Sequence, residues 1–232
     1  MRDSLPLWAE QIAVFDTETT GVSTQHSRIV TASIGLLNGD DVVERYDWML
    51  DPGVEIPDPA FQVHGISTEM ARESGTQADV GVRQIIEQLQ AMLSRGIPLV
   101  IFNAPYDLTL LSYEAERYGI AFPEAITPVL DPLILDKQLD RYRKGKRTLI
   151  ATSEHYGVDL SQAHDAGADA IAAGKVLQAI ASKYASSLPD DLDTLHQNQV
   201  SWAAAQAENF EQFMRSKRDP SFTADRRWPL QR

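Results

Sequence analysis

Apolar and polar positions divide the chain into a strand-rich beginning and a largely helical remainder. Ile12 to Phe15 is a short apolar run, read as a strand from its neighbours. Ile29 to Leu37 and Asp41 to Leu50 are strand-like runs separated by Asn38-Gly39-Asp40, a turn signal, so the three strands form a meander. Asp51 to Pro59, rich in Pro and Gly, reads as a loop. Helical spacing follows: Val82, Ile85, Ile86, Leu89 and Leu93 recur at intervals of three and four and define one apolar stripe. Pro98 to Phe102 is a short apolar strand, and Pro105 suits the first turn of a helix that buries Leu108, Leu111, Ala115 and Tyr118.

Val129 and Leu130 form a last short strand, with Asp131-Pro132 as cap and first turn of the next helix. Another helix starts near Thr148, and a long amphipathic one from about Ala166 buries Ala173, Val176, Leu177, Ile180 and Tyr184. A final helix runs from about Leu192 to Lys217, ahead of a polar, Arg-rich tail. A meander followed by alternating helix and strand predicts an α/β fold: a mixed β-sheet flanked by helices. Residues 1–190 are expected to form the main domain, with 191–232 as a C-terminal helix and basic tail extending it.

Composition narrows the chemistry. Hydrophobic residues make up 43% of the 232 and charged residues 23%, enough to bury a core in water. The absence of cysteine excludes disulfides, thiolate metal sites and cysteine nucleophiles, and favours a cytoplasmic setting. No apolar run approaches the ~18 residues of a membrane span, and Met1 to Glu10 lacks the features of a signal peptide. The formal net charge of −12 argues against a polyanionic partner, but the charge is uneven. Arg141, Arg143, Lys144, Lys146 and Arg147 lie within seven residues that hold no acid, and Glu211 to Arg232 carries six bases against three acids. Carboxylates that hold divalent cations would also reverse the local sign.

Asp16 and Glu18 sit two apart on the first strand, so both side chains point to one face. Two such anions are either solvated at a strand terminus or neutralised by a cation or shared proton. Asp107 falls in the first turn of the helix opened by Pro105, where the helix dipole accounts for an acid. It also follows a strand end, where functional groups gather in open α/β sheets. Asp169 falls on the apolar face of the long helix, four residues before Ala173, and a buried carboxylate needs a salt bridge, a hydrogen-bond network or a metal. His164 lies in the loop before that helix, able to swing over a site or simply to face solvent; its neighbour Asp165 reads as a cap or surface acid.

Together these residues form an Asp-x-Glu, Asp, His-x4-Asp series. The segments VFDTETTG (Val14 to Gly21), NAPYD (Asn103 to Asp107) and HDAGAD (His164 to Asp169) resemble the three motifs of the DEDDh family of 3′→5′ exonucleases, which includes the proofreading epsilon subunit of bacterial DNA polymerase III. FQVHGIS (Phe61 to Ser67) is similar to that family's VHGI segment, and the resemblance spans about Ile12 to Ile180.

The resemblance implies a ribonuclease-H-like fold and release of nucleoside 5′-monophosphates from the 3′ end of DNA. It implies that Asp16, Glu18, Asp107 and Asp169 hold two divalent cations, Mg²⁺ or Mn²⁺, with Asp16 bridging them. His164 becomes the general base, a role suited to imidazole, which titrates near neutrality. The resemblance implies substrate contacts at Thr19, through its backbone, and at His64, whose alternative is a hydrogen-bonded histidine in a turn. Tyr106 stands where many relatives carry Phe and either wedges near a base or packs, and Asn103 is the expected cap of the Pro105 helix and also shapes the site. Phe102 departs from the His of the epsilon subunit.

Three rival readings follow. RNase T and oligoribonuclease share the motifs, so RNA or short oligoribonucleotides are the alternative substrate. A catalytically silent nucleic-acid-binding subunit would require loss of function despite five filled catalytic positions. A metal-dependent phosphatase would need a confined pocket, which the basic segment Arg141 to Arg147 does not favour. The expected partner is nucleic acid with a free 3′ end, single-stranded DNA preferred, with a separate DNA polymerase subunit as a further candidate. Gln199-Val200-Ser201-Trp202 resembles a clamp-binding peptide faintly but lies within an amphipathic helix. The tail, with Trp228, Arg226, Arg227 and Arg232, has three open fates: lying along nucleic acid, docking on the domain, or disorder.

Overall fold

In a computed structural model, residues 5–160 and 163–232 are described. The strands are β1 (Gln11–Thr19), β2 (Ile29–Asn38), β3 (Asp41–Asp51), β4 (Thr76–Gln77), β5 (Leu99–Val100) and β6 (Val129–Leu130). The α-helices are α1 (Leu7–Glu10), α2 (Asp58–His64), α3 (Thr68–Ser74), α4 (Ala78–Ser94), α5 (Ala104–Arg117), α6 (Pro132–Leu139), α7 (Leu149–Tyr156), α8 (Ala166–Lys183) and α9 (Leu192–Lys217). The strands form one mixed sheet in the order β4-β3-β2-β1-β5-β6. The meander β1–β2–β3 is antiparallel, and β5 and β6 add in parallel on the far side of β1. No helix among the described residues is long and apolar enough to cross a membrane.

Alternation along β1 sends successive residues to opposite faces of the sheet. Ala13 and Phe15 join a core built with α4 and α5, including Val82, Ile85, Leu89, Leu108 and Leu111. Ile12 and Val14 join a second core on the other face, with Val176, Leu177 and Ile180 of α8. Asp16 and Glu18 continue the Ile12–Val14 row, so both carboxylates lie on the α8 face. The approach of α8 depends on Gly174: a Cβ there would lie 2.6 Å from Val14 Cγ1.

Strand β1 is longer than its apolar stretch, because pairing with β2 carries it through the polar residues to Thr19, where the register shifts. Strand β5 is shorter than the Pro98–Phe102 run. Backbone hydrogen bonding with β6 continues at Ile101, but Asn103 turns into a left-handed conformation at φ 64° and ends the strand. The short helices α1, α2 and α3 and strand β4 carry too few residues to show a periodicity. The predicted loop therefore gives way to α2 at Asp58.

The C-terminal segment docks on the same cores. Leu195 and Ala203 of α9 are buried, as is Trp228 in the tail. Beyond Trp228, the Gln231 N–H donates to Thr109 Oγ1 at 2.9 Å, and the Arg232 guanidinium donates to the Ser112 carbonyl at 3.1 Å and stacks over Tyr113. Of the three fates open to the tail, docking is the one observed.

Candidate active site

Four carboxylates meet where β1 ends. Asp16 and Glu18 come from β1, Asp107 from the first turn of α5 and Asp169 from the first turn of α8. Burial pushes the Asp16 carboxyl well above the ordinary range, and the negative charges of Asp107, Asp169, Glu18 and Asp165 push it further. Burial, then Asp169, Asp107 and Asp165, raise Glu18 to about 8. Asp107 rises to about 7, chiefly by burial, against a 2.6 Å hydrogen bond from the Thr17 hydroxyl that favours its charged form. Asp169 is raised by burial and lowered by the His164 backbone N–H, which lies 3.3 Å from each of its oxygens. These carboxylates destabilise one another's charged forms, the condition that a divalent cation relieves.

His164 is exposed, in a left-handed backbone conformation at φ 71°. Glu18, His164 and Asp169 each offer a ligand atom within 4.8 Å of the others. A cleft of about 340 Å³ opens beside them, lined by Glu18, His64, Ile66, Arg45, Trp48 and His164 among others. Its lining mixes apolar groups (Trp48, Met49, Ile66) with charged ones (Glu18, Arg45, Asp47), the combination that takes a ligand with both a ring and a charge.

The other residues singled out by sequence are placed differently: His64 lines this cleft, Thr19 and Tyr106 hold the turn after β1, and Asn103 lines a separate cavity with Asp131 and Trp228. The His64 Nδ1 accepts from the Ile66 N–H at 3.1 Å, while its Nε2 is buried. Burial lowers the His64 pKa, and the nearby Thr19 backbone opposes that shift. Tyr106 does not present a free hydroxyl: its oxygen lies 2.6 Å from Thr19 Oγ1 and donates to the Gly21 carbonyl at 2.6 Å. This pins the turn after β1 to α5. Phe102 is half-buried on the approach to α5.

Asn103 occupies the cap position of α5, but its side chain makes no capping hydrogen bond. Asp131 caps the helix instead. Its carboxylate accepts from the N–H groups of Asn103 and Ala104, each at 3.0 Å, from Leu133 at 2.9 Å and from Trp228 Nε1 at 3.4 Å. One buried acid thus fixes the starts of both α5 and α6 and receives the tail. Sequence identifies Asp131 correctly as a cap for α6, but a partner 28 residues upstream leaves no local signal. Thr17, the donor to Asp107, escapes a sequence reading for the same reason.

Two buried polar side chains belong to the framework. The Gln199 side chain is buried, accepts from the Asp131 N–H at 2.7 Å and donates to the Val129 carbonyl at 3.1 Å, which leaves no free clamp-binding peptide there. Glu114, fully buried in α5, pairs with Arg28 at 2.7 Å and with Arg117. This ties the segment after β1 to the helix that carries Asp107.

The RNase_T profile, described as Exonuclease, matches residues 13–177. Similar curated proteins include DNA polymerase III PolC-type from Lacticaseibacillus paracasei, 29% identical over 174 residues, and from Streptococcus thermophilus, 28% identical over 178. Each alignment takes in 75% of this chain and 11% of the relative, so the chain spans about a tenth of the length of the curated relatives it matches. Among solved structures, a zinc-bound E. coli ExoI–ssDNA complex aligns with a TM-score of 0.67 at 16% identity, over 84% of this chain and 43% of that one. An exonuclease I from Methylocaldum szegediense aligns with a TM-score of 0.63 at 18% identity, over 88% and 45%. At these identities the structural likeness establishes the fold, a ribonuclease-H-like mixed sheet flanked by helices.

Proposed function

The chain belongs to the exonuclease family, in its DEDDh branch, and from that premise we propose that it removes nucleoside 5′-monophosphates stepwise from the 3′ end of single-stranded DNA. The observation that carries this reading is the convergence of Asp16, Glu18, Asp107 and Asp169, whose charges oppose one another, beside the exposed His164. Four carboxylates offer the hard oxygen donors that Mg²⁺ or Mn²⁺ prefers, and in this reading they hold two such ions. Divalent cations bound there supply Lewis-acid charge stabilisation for phosphodiester hydrolysis and favour deprotonation of water.

The chain's own groups do the rest. His164 takes the proton of the attacking water, and the contact between its backbone N–H and Asp169 ties the loop to the carboxylates. Thr17 orients Asp107 by its hydrogen bond. In this reading His64, which lines the cleft with Glu18 and His164, meets the terminal nucleotide, and Thr19, Asn103 and Tyr106 shape the surrounding backbone. DNA is favoured because the similar PolC-type proteins are named as DNA polymerases and the similar ExoI is described with ssDNA. A separate polymerase subunit is the corresponding candidate partner.

Matched DNA and RNA oligonucleotides with free 3′ ends, digested with Mg²⁺ and resolved by chromatography, test the assignment. DNA degraded faster, with nucleoside 5′-monophosphate as product, is the expected result. Faster RNA degradation would transfer the same chemistry to a ribonucleotide substrate, and 3′-monophosphate products would overturn the mechanism.

A further inference from the structure

The segment from Arg141 to Arg147 holds five bases and no acid in a chain of net charge −12, and the structure divides those bases into two sets. Arg143 and Arg147 turn inward onto Asp136, which is fully buried and also accepts from the Tyr156 hydroxyl at 3.0 Å. The same two arginines donate to the backbone carbonyls of Lys146, Asp140 and Arg143, tying the loop down through its own main chain. Arg141, Tyr142, Lys144 and Lys146 are left exposed, with 89% of the Tyr142 surface open to solvent. A loop fixed in this way loses little entropy when it binds. Three exposed cations and an exposed aromatic ring on one short loop match the combination that holds single strands: phosphate contacts together with base stacking.

We propose that the loop 141–147 is a second nucleic-acid contact, which grips the single strand upstream of its 3′ end; this rests on the exonuclease reading of the carboxylate site. Its distance from that site sets a length requirement. Asp140, beside the loop, pairs with Lys183 at the far end of α8, whereas Asp169 lies in the first turn of that helix. At ~1.5 Å per residue the helix rises about 21 Å between Asp169 and Lys183. At ~3.4 Å per stacked nucleotide, the loop meets the strand about six nucleotides from the scissile bond. A trinucleotide therefore cannot reach it, and a 20-mer can.

The test compares wild type with the triple variant Arg141→Ser/Lys144→Ser/Lys146→Ser and with Tyr142→Ala, none of which touches the carboxylate site. With Mg²⁺, the triple variant is expected to raise KM for a 20-mer of single-stranded DNA about tenfold and to leave kcat and trinucleotide hydrolysis unchanged. Binding of a 3′-blocked fluorescent 20-mer, read by anisotropy, weakens by a similar factor. Its log–log salt dependence becomes shallower by about 2, at ~0.7 for each of the three phosphates that the variant no longer neutralises. Tyr142→Ala weakens the same binding without changing the salt slope. Unchanged affinity for the blocked 20-mer, or equal loss on the trinucleotide, overturns the proposal. Failure of wild type to hydrolyse either substrate would count against the exonuclease reading, while the blocked 20-mer would still decide the role of the loop.

Discussion

Glu18→Gln separates the electrostatic account of the site from a merely structural one. The Glu18 carboxyl rises from an ordinary 4.5 to about 8, chiefly through burial and then through Asp169, Asp107 and Asp165. The folded protein therefore keeps a proton that the unfolded chain has already released. Without cations, stability falls as pH climbs from about 4.5 to about 8 and levels off above that. At ~1.4 kcal/mol per pKa unit the ceiling is about 5 kcal/mol, and partial exposure and coupling to the other carboxylates reduce it to about 1–3 kcal/mol. A chain of this size shifts its melting temperature by about 2–4 °C per kcal/mol. In EDTA at pH 8.5, Glu18→Gln is expected to melt about 3–9 °C above wild type, and at pH 5 the two should nearly coincide. Mg²⁺ at a hundredfold excess over its Kd restores about 2.7 kcal/mol to wild type and closes the gap. Thermal unfolding by circular dichroism reads all these arms. A wild-type melting temperature that does not fall between pH 5 and 8.5 in EDTA would refute the reasoning, as would a variant no more stable than wild type.

Three further perturbations probe other parts of the account. His164→Ala should lower kcat by about 100-fold or more, the range for loss of a general base, while the Mg²⁺ concentration for half-maximal activity moves less than about threefold. A large shift of that midpoint would make His164 a ligand rather than a base. Asp131→Ala leaves the buried donors at Asn103, Ala104, Leu133 and Trp228 without their acceptor, at a cost of about 3–5 kcal/mol, measurable by urea unfolding. Loss of less than about 1 kcal/mol would show that these groups find other partners. Gly174→Ala drives a methyl group against Val14, and overpacking there should cost about 1–3 kcal/mol in the same assay.

The long periodic elements are legible in sequence because each is set by a local pattern. The stripe of α4, the apolar face of α8 and the span of α9 follow the expected positions, and β6 is the expected Val129–Leu130. The converging carboxylates are legible because each lies at a strand end or helix start. What sequence does not show is contact across the sheet. The grip of Asp131 on α5, the hydrogen bond from Thr17 to Asp107 and the burial of Trp228 join residues 28, 90 and 97 apart, with no local pattern to mark them. The basic segment is visible as charge, but its division into inward and outward sets depends on pairing with the buried Asp136, which charge alone does not show.

The central claim is that these carboxylates drive stepwise hydrolysis from a free 3′ end. Its most direct test follows a 5′-labelled single-stranded DNA 20-mer over time with wild type and Asp169→Ala, in Mg²⁺ and in EDTA, beside a 3′-blocked copy. The account predicts a ladder that shortens one nucleotide at a time from the 3′ end with wild type in Mg²⁺, and intact substrate in EDTA, with Asp169→Ala and on the blocked strand. Internal cuts on the blocked strand, or equal digestion without Asp169, would contradict it.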